Sequence, residues 1–208
     1  MQTVLVLSPH TDDGGIGCGG TIVKLLSQGK QVYYATFSMC ELSVPNGFSK
    51  DILEKEVHLS TKCLGIPLEK LLIFKYPVRR FGEFRQKILD DLIRLRDEIQ
   101  PDLVLMPGQN DFHQDHAVVA AEGLRAFKHS SILCYEMVWN NLTMYTTAFV
   151  SLEQEDLDKK ICALAQYTSQ LKIRNYMSRD FIESLAKVRG VQAGMRYAEA
   201  YEVLRWVL

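Results

Sequence analysis

Residues 3 to 13 read Thr3-Val4-Leu5-Val6-Leu7-Ser8-Pro9-His10-Thr11-Asp12-Asp13, an apolar run that ends in a short segment carrying one histidine and two aspartates. The run predicts a strand, and Pro9 marks the turn out of it. Roughly a hundred residues later Leu103-Val104-Leu105-Met106 leads in the same way into Asp111-Phe112-His113-Gln114-Asp115-His116. Two short segments therefore hold nearly all of the metal-capable chemistry. Each is expected on a loop at the carboxyl end of a strand, the edge at which open α/β sheets bind ligands.

Working outward, Gly14 to Gly20 is glycine-rich and is expected as a loop before a helix over Thr21 to Leu26, which Gly29 can close in a left-handed cap. Gln31 to Ser38 has the β-branched and aromatic content of a second strand, and Asp51 to Leu64 has helical periodicity ending at Gly65. Leu71 to Tyr76 predicts a third strand. Phe84, Ile88, Leu92, Leu95 and Ile99 recur at three- and four-residue intervals and draw an amphipathic helix that stops before Pro101. Asp102 to Pro107 reads as the fourth strand, Ala117 to Phe127 as a helix, and Ile132 to Glu136 and Thr147 to Val150 as strands. Leu157 to Tyr167 and Phe181 to Arg189 read as late helices. This alternation predicts one α/β domain over residues 1–208, a three-layer Rossmann-like fold with a mainly parallel sheet.

The 24 basic and 25 acidic residues nearly cancel. No global field would steer the chain onto nucleic acid or anionic lipid, so a small molecule is the expected ligand. The five cysteines, Cys18, Cys40, Cys63, Cys134 and Cys162, are scattered and lack a CxxC pair, which suits reduced thiols that fill the core. No apolar stretch approaches the ~18 to 20 residues that span a bilayer, and the start lacks a basic, cleavable leader. A cytoplasmic location is expected. The sequence leaves the number of subunits open, and a homo-oligomer is compatible with it.

A catalytic zinc takes three nitrogen or oxygen ligands from protein and keeps one position for water. His10 and Asp13 on one tight loop and His116 from the second satisfy that count, with Fe2+ an alternative to Zn2+ for such donors. Asp12, His113 and Asp115 remain beside the metal. Asp12 is placed to act as a base, and His113, oriented and kept charged by Asp115, could stabilise an oxyanion or protonate a leaving amine. Either segment alone could be a capped turn. The two together favour a metal site. Gly15-Ile16-Gly17-Cys18-Gly19-Gly20, with Glu41 about twenty residues on, also matches the outline of a dinucleotide fingerprint, but six residues separate the strand from its first glycine, where that fold has an immediate turn. A non-catalytic sugar-binding module is a further alternative. Trp139, Trp206 and the tyrosines are expected mainly in the core, with a sugar-stacking platform as the other reading.

His10-Thr11-Asp12-Asp13 and His113-Gln114-Asp115-His116 resemble the two signatures, His-Pro-Asp-Asp and His-x-Asp-His, of the LmbE/PIG-L family of zinc-dependent N-deacetylases. The likeness extends over Gly19-Gly20, Glu56 to Gly65, Pro101 to Val104, Arg189-Gly190 and Tyr197-Ala198-Glu199. It implies zinc on His10, Asp13 and His116, Asp12 as general base, His113 assisting the oxyanion and Asp115 tuning His113. It implies hydrolysis of an N-acetylated sugar of the N-acetylglucosamine type, with a non-sugar amide as the alternative. The chain departs from the family pattern in having Thr11 for proline, Gly14 for an acidic residue, and no arginine within Asp51 to Lys55 ahead of the helical glutamate. Arg79 and Arg80 after the third strand, with Asp111, are candidates to hold the substrate; a solvated loop is the other reading for the two arginines.

Overall fold

The computed structural model describes residues 1–207. Five strands run parallel: β1 (Thr3–Ser8), β2 (Gln31–Thr36), β3 (Leu71–Ile73), β4 (Leu103–Pro107) and β5 (Ser131–Tyr135). Two more, β6 (Ala148–Leu152) and β7 (Tyr197–Arg205), complete a seven-stranded sheet in the order β3-β2-β1-β4-β5-β7-β6, with β7 antiparallel to both of its neighbours. The helices are α1 (Asp13–Ser27), α2 (Ile52–Leu64), α3 (Arg85–Ile99), α4 (Gln114–Ala126), α5 (Gln154–Leu164), the single turn α6 (Thr168–Leu171) and α7 (Arg179–Ala193). This is the α/β architecture expected from the alternation of elements.

Alternate residues of the strands feed two separate apolar layers. Val4, Val6, Leu103, Leu105, Leu133 and Tyr135 pack under α1, α2, α5 and α7, whereas Leu5, Leu7, Val104, Met106, Ile132 and Cys134 pack under α3 and α4. Both faces are covered, which is why the central strands read as unbroken apolar runs. Chain order reverses between β1 and β4, because β1 is followed by a strand on one side and β4 by a strand on the other. That switch point leaves a crevice at the strand ends, and the two polar segments are the loops that flank it.

The structure departs from the sequence expectation in three places. The glycine-rich stretch is helix, since α1 begins at Asp13 and passes through Gly14 to Gly20 with one break at Cys18, where φ is −142° and ψ is 21°. The glycines are needed for close approach: a Cβ on Gly17 would lie 2.3 Å from the Tyr135 ring, and one on Gly20 would lie 2.5 Å from Leu152. Past the break, the Glu199 carboxylate accepts hydrogen bonds from the backbone N–H groups of Gly20 (2.9 Å) and Thr21 (2.7 Å) and pairs with buried Lys160 at 2.6 Å. Strand β3 spans three residues, not the six expected. Strand β7, the longest in the sheet, has no counterpart in the sequence expectation. No helix among the described residues is long and apolar enough to cross a membrane.

Candidate metal and catalytic site

The loop after β1 is fixed by hydrogen bonds to its backbone. Ser8 Oγ accepts from Gly14 N at 2.9 Å, and the Tyr34 and Tyr167 hydroxyls both donate to Thr11 O, at 3.0 and 2.6 Å. Asp13 turns back to accept from His10 N at 2.8 Å. Asp12 directly precedes α1 yet makes no side-chain capping bond, so its carboxylate is not consumed by the helix. In the second loop Asp111 Oδ1 accepts from His113 N at 2.9 Å, and His113 caps α4 by accepting from Asp115 N on Nδ1 at 3.2 Å. One turn of helix then carries His116 toward the first loop.

Three atoms converge from the two loops. His10 Nδ1 lies 3.0 Å from Asp13 Oδ2 and 3.2 Å from His116 Nε2, and His116 Nε2 lies 3.1 Å from Asp13 Oδ2. Donors bound tetrahedrally to zinc at 2.0–2.1 Å stand about 3.3 Å apart, so the triangle has the size of such a set. The tautomers agree with it. His10 Nε2 donates to Asp115 Oδ2 at 3.0 Å and His116 Nδ1 donates to Asp111 Oδ2 at 2.6 Å. With those nitrogens protonated, lone pairs of both neutral rings face Asp13, and only a cation or extra protons can satisfy the three acceptors. Burial works to lower the affinity of both imidazoles for a proton, but the Asp13 carboxylate, helped by Asp115 and Asp111, raises His10 to about 9 and His116 to about 10. Burial works to raise Asp13, and the two imidazoles hold it well below the usual carboxylate range. A wider set of His10, His113 and His116 offers ring nitrogens within 4.8 Å of one another. The triangle through Asp13 is the tighter of the two sets, and in the wider one the Nδ1 of His113 already accepts from Asp115 N.

Asp12 and His113 stand beside this triangle on the wall of a cavity of about 370 Å³. Burial, and then the adjacent charge of Asp13, push Asp12 up to about 6, and His10 and Arg174 partly offset them. Burial, and then the neighbouring imidazoles, push His113 down to about 4, which keeps its ring neutral.

Three sequence expectations need correction. The Asp115 carboxylate does not meet His113 or keep it charged; it accepts from His10 and from the backbone N–H groups of Arg79 (2.5 Å) and Phe81 (3.2 Å). Arg79 is in the left-handed region (φ 67°), and that turn aims its N–H at Asp115. Asp111 is buried behind His116, where it orients the ring and has no access to a substrate. Arg80 is paired with Glu83 on an exposed 3-10 turn, outside the cavity. Arg79 does line the cavity. The dinucleotide alternative loses its loop, since Gly15 to Gly20 lie inside α1 against the sheet.

The outer wall contains Trp139 and Tyr176, offered by the sequence only as an alternative stacking platform, together with Asn140, Gln170 and Arg174, which the sequence expectation does not include. Trp139 and Asn140 after β5, and Gln170, Arg174 and Tyr176 around α6, face the cavity together with Leu53 of α2. Trp139 and Tyr176 stack with centroids 3.6 Å apart, and the Arg174 guanidinium lies 5.9 Å from the Tyr176 centroid. Buried Glu56 of α2 anchors this wall by accepting from Thr168 Oγ1, Ser169 N and Ser169 Oγ. The only signal available was the aromatic content, because these residues come from irregular segments without periodicity.

A mainly parallel sheet covered on both faces, with imidazoles and carboxylates gathered at its switch point, defines an α/β protein carrying a donor set for a cation. The chain belongs to the PIG-L family, described as GlcNAc-PI de-N-acetylase, whose match spans residues 5–127, more than half of the sequence. It is 24% identical over 227 residues to the diacetylchitobiose deacetylase of Thermococcus kodakarensis, covering 96% of this chain and 82% of that protein. Among solved structures it is similar to the conserved protein TT1542 of Thermus thermophilus, with a TM-score of 0.81 at 23% identity over 100% of this chain and 97% of the other. It is also similar to GalB, the 4-carboxy-2-hydroxymuconate hydratase of Pseudomonas putida, with a TM-score of 0.82 at 19% identity over 100% and 98%. These structural likenesses establish a shared fold.

Proposed function

We propose that this protein is a divalent-metal-dependent N-deacetylase, with zinc the metal its donors suit best, acting on an N-acetylated sugar or sugar conjugate of the N-acetylglucosamine type. The observation that carries the reading is the triangle of His10 Nδ1, Asp13 Oδ2 and His116 Nε2 with an uncommitted Asp12 beside it. Membership of the PIG-L family and the deacetylase named among its relatives support the substrate class. A cation held by these three residues would supply Lewis acidity and lower the pKa of a water molecule.

The chain's own residues divide the remaining work. Asp12 takes the proton of the attacking water and passes it to the departing nitrogen, and its upward-shifted carboxyl suits both transfers. Because Asp115 N donates to His113 Nδ1, the hydrogen of the neutral ring sits on Nε2, so His113 acts as a donor to the developing oxyanion. Asp115 and Asp111 hold the rings of His10 and His116. The Trp139–Tyr176 stack offers an apolar face to a sugar ring, and Arg79 and Arg174 place two cations at the cavity wall.

Amine release from a panel of N-acetylated sugars, with and without a chelator, tests the reading. We expect chelator-sensitive release from at least one N-acetylhexosamine conjugate. Asp12→Asn should keep the metal and lose about 10² to 10⁴ in turnover. A panel without release from any sugar, alongside release from simple acyl amides, would move the assignment to a non-sugar amidase, and near-normal turnover in Asp12→Asn would remove Asp12 from its role.

A further inference from the structure

Two of the five cysteines lie at the margin of the core and outside the cavity. Cys63, in the last turn of α2, and Cys162, near the end of α5, are 99 positions apart in sequence, yet their sulfurs are 3.2 Å apart. Cys162 is exposed and Cys63 half-buried, whereas Cys18, Cys40 and Cys134 are buried. We propose that Cys63 and Cys162 form an oxidative modification site, a dithiol that a two-electron oxidant of the peroxide class closes to a disulfide within the folded chain.

The order of events follows from access. The Cys162 thiolate attacks one peroxide oxygen, the O–O bond breaks, and water leaves after protonation, which puts a sulfenic acid on Cys162. Cys63 then gives up its proton and its sulfur attacks the Cys162 sulfur; the S–O bond breaks and a second water leaves. Two thiols lose two electrons and two protons, and one peroxide becomes two waters. Burial, together with the neighbouring Cys162 thiol, pushes Cys63 up to about 11, which leaves the exposed Cys162 as the thiol that meets the oxidant first. The cross-link would tie α2, two turns after Glu56, to α5, five residues before Tyr167, whose hydroxyl holds the loop after β1. A disulfide there closes a long loop, the case in which the unfolded chain is constrained most.

The test is brief treatment of the folded protein with hydrogen peroxide, followed by non-reducing peptide mapping and thermal melting. We expect one intrachain link between Cys63 and Cys162, three cysteines still reduced, and a Tm higher by about 5 °C or more that dithiothreitol reverses. Cys63→Ser should leave a sulfenic acid on Cys162 that dimedone traps, with no rise in Tm. Cys162→Ser, at an exposed position, gives a second variant that should form no link. The proposal is overturned if the wild-type chain accumulates oxygenated Cys162 beside a free Cys63 thiol, if it links chain to chain through Cys162, or if the cross-linked form melts no higher than the reduced one.

Discussion

A buried imidazole is a usable ligand only if its other nitrogen is spoken for, and here a carboxylate stands behind each of two rings: Asp115 behind His10 and Asp111 behind His116. Removing such a partner typically costs 10–100-fold in metal affinity. We therefore expect Asp115→Asn and Asp111→Asn each to weaken binding of added zinc by about that factor in a chelator competition, with the fold retained. Unchanged affinity in both variants would show that the carboxylates do not set the rings. At this scale the sequence was informative about which residues meet and poor about which way they point. His10, Asp12, Asp13, His113 and His116 converge as their loops required. Asp111, Asp115 and Arg80 depart from the sequence expectation because their directions are set by local turns: the short hydrogen-bonded turn from Asp111 to His113, the positive φ of Arg79 and the Glu83 fork. No pattern of residue types encodes those turns.

Helix α1 carries the site because it starts at Asp13 and its glycines let it lie close against side chains of β2, β5 and β6. The sequence expectation places a loop here, since glycine is a poor helix former. Packing overrides that preference, because any side chain at Gly17 would occupy the space of the Tyr135 ring. Gly17→Ala would relieve the entropic penalty of glycine, yet it overpacks the contact, and we expect a net loss of about 1–3 kcal/mol in urea unfolding. A stabilised variant would mean that the ring can move aside. Elements with a clear period, such as α3, were legible to within a residue or two. Strand β7 was not, because Tyr-Ala-Glu-Ala-Tyr-Glu pairs aromatic with small and acidic residues whose burial depends on partners far away. Glu199 is buried only because α1 breaks at Cys18 and Lys160 lies opposite.

Across the whole molecule, a formal net charge of −1 leaves little general repulsion, so the response of stability to pH comes from particular groups. One of them, Asp102, ties the start of β4 to the start of β1 by accepting from Gln2 N at 2.6 Å and Thr3 N at 2.9 Å, and those bonds hold its carboxyl below the usual range. A group lowered in this way stabilises the fold above its unfolded pKa, and the contribution fades as pH falls through its folded value. The gap in unfolding free energy between wild type and Asp102→Asn should thus be full at about pH 6 and should narrow as the pH falls below the ordinary aspartate value of about 3.9. A gap that stays constant over that range would rule out the charge as its source. The layered architecture was readable from alternation alone, whereas the chemistry was not, since a hydratase of Pseudomonas putida shares the same fold. The position of β7 has one more effect. A ribosome makes that strand after all the others, yet it belongs in the interior of the sheet, so a nascent chain must keep β5 and β6 apart with their edges bare until the closing strand emerges. Biogenesis is therefore the stage at which this protein is most open to aggregation and has most use for a chaperone.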